Sequence, residues 1–162
     1  MLSVYFFIAA VISCFLNLAY RRNWHCPQSA EVLLGYLLLF NVGLFGLLSA
    51  YGHIFMGPEV AAQIGWAPGS PFQFEIGMAN LSYGVLGVLA FWIRKRFWDA
   101  TLIGWSILLI GCFIGHLINY YTTGNTAPYN YGVFIWFNDL FLPLFALAIL
   151  FYIRIRNYKQ SL

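Results

Sequence analysis

Four ionisable side chains interrupt otherwise apolar stretches of this sequence: His53, Glu75, His116 and Asp139. Two imidazoles and two carboxylates are a ligand set that suits Zn, Fe or Mn. Arranged instead as histidine–carboxylate pairs, the same groups suit proton transfer or recognition of a small polar ligand. Their spacing repeats: Glu75 follows His53 by 22 residues and Asp139 follows His116 by 23, with a Gly-His-aliphatic triplet at each histidine. Aromatic residues precede each acid, Phe72 and Phe74 in one case, Trp136 and Phe137 in the other. Asn80, Cys112, Asn119 and Asn138 are expected to support the same pocket, and Cys112 lies one helical turn from His116.

The segments carrying these groups are overwhelmingly apolar. The 162 residues are 62% hydrophobic and include 8 basic and 5 acidic side chains, about 8% charged where soluble domains average about 25%. This composition excludes a water-soluble globule. Five apolar runs cover about residues 2–20, 32–56, 72–93, 101–121 and 134–153, each long enough to cross a hydrocarbon layer of about 30 Å. Runs without polar alternation leave helices rather than barrel strands. The expected fold is all-α, a five-transmembrane-helix bundle forming one integral membrane domain over residues 1–162. Helices two and three and helices four and five read as two similar hairpins, with duplication and coincidence both open.

Orientation follows from the basic residues. Arg21 and Arg22 follow run one, Arg94, Lys95 and Arg96 follow run three, and Arg154, Arg156 and Lys159 follow run five, so all eight fall on one side. Positively charged loops are retained in the cytoplasm, which sets the N-terminus outside and the C-terminus inside in an inner membrane. The basic residues form small clusters rather than a stripe, which excludes nucleic acid as a partner. The bilayer is the expected partner, with a homo-oligomer or a partner membrane subunit also open. Run one has no basic residue before it and reads as a retained anchor rather than a cleaved signal. Cys14 and Cys112 fall in spans and Cys26 in a cytoplasmic loop, so no disulfide framework is expected. Trp24, Trp66, Trp92, Trp98 and Trp136 near run ends read as interfacial belts. Glu31, Asp99 and the adjacent His25 and Cys26 read as solvated loop groups.

On this topology the four ionisable residues share one depth, about a helical turn below the outer interface. In run two, Gly43, Gly46, Ala50 and His53 lie along one side, a small-residue stripe that admits a close neighbour. Gly104, Gly111 and Gly115 form a similar stripe in run four, with Asn119 on an adjoining face. In run three the stripe of Gly77, Asn80, Gly84 and Gly87 is turned roughly 140° from Glu75. Pro143 cannot donate to the carbonyl of Asp139, so irregular backbone is expected at that acid. The turn-rich loops 57–71 and 124–132 are expected to cover the site as lids, with Ser70 capping a helix whose first residue is Pro71.

The stretch Glu75-Ile76-Gly77-Met78-Ala79-Asn80-Leu81-Ser82, followed by Gly84 and Gly87, resembles a family of small bacterial multi-pass membrane proteins of uncharacterised function. The resemblance covers about residues 52–142 and includes Gly-His-Ile-Phe-Met-Gly-Pro at Gly52 to Pro58 and Asn-Asp-Leu-Phe at Asn138 to Phe141. It implies a bacterial membrane protein and supplies no activity. Three readings of the site stand open: a divalent transition metal (Zn, Fe or Mn) or haem, a proton-coupled small-ligand site, and a structural or accessory subunit held by buried pairs. No nucleophile with its base, phosphate loop or dinucleotide fingerprint supports hydrolase, kinase or dehydrogenase chemistry.

Overall fold

In an apolar layer no water bonds the backbone, so each segment must satisfy its own amides, and a helix does so within one strand of chain. The computed structural model describes residues 2–22, 24 and 26–160, and among them there is no strand. The order is α1 (Leu2–Arg21), α2 (Cys26–Leu37), a first π-helical segment (Leu38–Leu44), α3 (Phe45–Phe55), α4 (Gly57–Ile64), α5 (Phe72–Ala90), α6 (Arg96–Thr123), α7 (Pro128–Tyr131), a second π-helical segment (Ile135–Phe141) and α8 (Leu142–Gln160). The first π segment joins α2 to α3 without a break and the second runs directly into α8, so the chain makes two long rods. The adjacent His25 and Cys26 side chains lie outside the described residues.

Among the described residues, four helices are long and apolar enough to cross a membrane: Leu2–Arg21, Gln28–Phe55, Arg96–Thr123 and Ile135–Lys159. They match four of the five expected spans. The expected third span is helical over Phe72–Ala90 but falls outside that set by composition. Its residues include Gln73, Glu75, Asn80 and Ser82 together with three glycines, and Gln73 and the glycines are buried in packing. Elsewhere the outer surface is apolar, with Phe15, Ile107 and Phe151 exposed, as suits a chain whose solvent is lipid.

Small residues explain where α5 goes. A Cβ built on Gly84 would lie 2.8 Å from the Leu47 amide nitrogen, one on Gly46 would lie 3.1 Å from Gly84 Cα, and one on Gly43 would lie 2.9 Å from the Val88 nitrogen. At the other end a Cβ on Gly77 would lie 3.2 Å from His53 Cβ. The pairings run 43 with 88, 46 with 84 and 53 with 77, so α5 lies antiparallel to the rod containing α3, backbone against backbone.

The apolar core lies toward the basic end, where Leu34 and Leu38 meet Leu102, Trp105, Leu142 and Leu150. Trp98 is a correction to the interfacial belt: it is 2% exposed and its indole donates to the Ala90 carbonyl at 2.6 Å, closing the end of α5. Asp99 also departs from simple solvation, because Arg154 holds it at 2.7 Å and donates as well to the Lys95 carbonyl. Both loops expected as lids contain helices that turn propensity alone did not reveal. In the first, Pro58 opens α4 and Gly65, at φ 79°, ends it in the left-handed region that favours glycine. Pro71 rather than Ser70 takes the cap position of α5, which begins at Phe72, and Ser70 Oγ accepts from the Phe72 amide at 3.3 Å.

Candidate functional site

The histidines find amide partners rather than acids. His53, in the last turn of α3, has Nδ1 2.7 Å from Gln73 Oε1, and Gln73 is buried in the first turn of α5. His116, buried in α6, has Nδ1 3.0 Å from Oδ1 of Asn130, which is fully buried in α7. With carbonyl oxygens as acceptors, each Nδ1 carries a proton, which leaves Nε2 as the nitrogen that gains or loses one. The Trp66 ring lies over His116 at 5.7 Å between centroids and 20° between planes.

Asn130 and Asn125 tie the two lids together. Asn130 Nδ2 donates to the Asn125 carbonyl at 2.8 Å, and Asn125 Nδ2 donates to the Ile64 carbonyl at 2.9 Å and to Asn119 Oδ1 at 2.8 Å. Asn119, expected beside the ionisable residues, therefore serves this stitching at the end of α6.

Asn138 and Asp139 belong to the second π segment, are 5% and 3% exposed, and share a 2.7 Å bond from Asn138 Nδ2 to Asp139 Oδ1. Pro143 follows that segment by two residues, and the irregularity expected at the acid takes the form of wider π turns, with Leu142 N bonded to Phe137 O.

A cavity of about 840 Å³ brings His53, Asn80, Cys112, His116, Asn138 and Asp139 to one space, and Asn41 from the first π segment lines it too. Its shape follows from glycines in α6. A Cβ on Gly104 would lie 2.6 Å from Tyr83 Oη, so α6 touches α5 there, whereas Cβ atoms on Gly111 and Gly115 would meet nothing within 4 Å. The stripe expected to let helices approach along its whole length does so only at Gly104, and its other two glycines line the cavity.

Glu75 and Asn119 are not among the residues lining that space. Glu75 is exposed, on the face of α5 turned away from α3. The set of two histidines and two acids therefore does not converge, and among the described residues no group of three or more His, Cys, Asp or Glu side chains is placed to hold a metal ion. Gln73, Asn130 and Asn41 are site residues that the sequence does not single out, Asn130 lying in the turn-rich loop 124–132.

Apolar rods around a partly polar cavity define an all-helical protein built to sit in lipid. The chain belongs to a family described as a family of unknown function, DUF6790, whose profile matches residues 1–159. No curated protein and no solved structure matches it significantly.

Proposed function

We propose that this chain is an integral membrane protein of five crossings, α5 making the fifth, and that it binds a small ligand in a cavity opening toward the outer face. The observation that carries the ligand reading is the cavity wall. His53, Asn80, His116, Asn138 and the buried Asp139 carboxyl line about 840 Å³ of space. A purely structural polar core packs such groups against one another, whereas here they border a void of ligand size. Asp139 and the histidines give the site exchangeable protons, which suits proton-coupled binding or transport. The fifth crossing is supported by the antiparallel packing of α5 on α3, and an orientation with the N-terminus outside and the C-terminus cytoplasmic by the basic clusters.

The test uses the full chain carrying Cys14→Ser and Cys26→Ser, so that Cys112 is the remaining thiol. In right-side-out vesicles a membrane-impermeant maleimide is expected to label Cys112 in the folded protein, and Gly115→Phe, which fills the space, is expected to slow it. Labelling only after denaturation overturns the outward-open cavity.

A metal or haem is the second reading, favoured by one observation: both Nδ1 atoms are tied to carbonyl oxygens, as in imidazoles that ligate through Nε2. Elemental analysis and an absorption spectrum decide it. Metal or a Soret band in the wild type, lost in both His53→Ala and His116→Ala, supports this reading; a metal-free and colourless wild type overturns it.

A further inference from the structure

The buried polar side chains among the cavity's lining residues have one character. Asn41 and Asn138 are 2% and 5% exposed, and each has its amide nitrogen committed, Asn41 Nδ2 to the Ser3 carbonyl at 3.1 Å and Asn138 Nδ2 to Asp139 at 2.7 Å. Those donations fix which end of each amide is oxygen, and in both the oxygen is buried and unpartnered. Beside them are a carboxyl that is 3% exposed and two imidazoles whose Nδ1 protons are already given to Gln73 and Asn130. No Lys or Arg lines the cavity, while a second acid, Glu59, stands among its lining residues. A carboxyl so far from water stays protonated unless a counter-charge reaches it. The first basic residue of α8, Arg154, is engaged with Asp99 at the opposite end of the rod. The wall also carries the rings of Tyr51, Trp66, Phe72 and Tyr129.

Acids without bases, beside aromatic faces, describe the complement they lack. We propose that the cavity takes a small organic cation with N–H donors and an apolar or aromatic body, an arylalkylamine in its ammonium form, its nitrogen directed toward Asp139. The ammonium supplies the missing charge, and the rings accommodate both its body and its charge. This inference rests on the ligand reading above and names the class of ligand.

The test again uses Cys112 as the remaining thiol of the full chain, now in nanodiscs, with two methanethiosulfonate reagents of similar size. One is aminoethyl and cationic, the other sulfonatoethyl and anionic, and each rate is divided by that with a free thiol in solution. The cationic reagent is expected to modify Cys112 at least about ten-fold faster than the anionic one. Asp139→Asn is expected to reduce that preference, and phenethylamine to protect Cys112 where 3-phenylpropionate and 2-phenylethanol do not. Equal rates for the two reagents, or protection by 2-phenylethanol as good as that by phenethylamine, overturn the cation assignment while neutral maleimide labelling keeps the cavity reading intact. If the neutral maleimide also fails to reach folded Cys112, the cavity reading itself falls. Should Asp139→Asn not fold, the three competitors on the unaltered acid still decide the matter.

Discussion

Asn130 carries more of this site than either predicted acid-histidine pair. It accepts from His116, donates to the Asn125 carbonyl and is fully buried, so removing its amide strands partners on two elements. Asn130→Ala is expected to cost about 1–3 kcal/mol in detergent unfolding, whereas Glu75→Gln, at an exposed position, is expected to stay within about 0.5 kcal/mol and to leave Cys112 labelling unchanged. A Glu75→Gln variant as damaged as Asn130→Ala would return that acid to the site. The histidines and Asp139 were legible because ionisable residues stand out in apolar runs. Their true partners were not, since asparagine and glutamine near loops look like ordinary turn chemistry. Gln73 and Glu75 show the difficulty: two residues apart on one helix, they point about 200° apart, and the uncharged one faces His53.

At the scale of elements, the long helices were legible from hydropathy and the close packing from the glycine spacing. Gly43 and Gly46 of the first π segment and α3 do meet Gly84 and its neighbours on α5, which settles the 140° offset noted for run three in favour of the glycine face. What hydropathy could not reveal was the division of labour among glycines. Gly104 approaches Tyr83 while Gly111 and Gly115 border open space, and nothing in their spacing distinguishes them, because the difference lies in how far α6 leans from its neighbour. The π segments were equally silent. Their residues are apolar apart from Asn41, Gly43 and Asn138-Asp139, and only Pro143 signalled that the second rod would depart from α-helix.

For the whole molecule, the arrangement of α5 decides whether the chain crosses five times. Single cysteines introduced by Gly69→Cys and Ile93→Cys, in a chain otherwise free of thiols, flank this helix. An impermeant maleimide added outside is expected to label the first and not the second, which reports both the crossing and the cytoplasmic placement of the basic loop at Arg94 to Arg96. Labelling of both from one side would make α5 a re-entrant element. The two long rods carry a further consequence, in the terms of heredity rather than of chemistry. A π turn holds one residue more than the α turn it replaces. Each π segment therefore stores a surplus residue, Leu38–Leu44 midway along the first rod and Ile135–Phe141 at the start of the second. Loss of a single codon in an ordinary membrane helix rotates everything beyond it by about 100°. In these two segments the same loss would restore the α-helix and leave the flanking faces in register, so a single residue such as Asn41 is gained or discarded without refolding the rest of the chain.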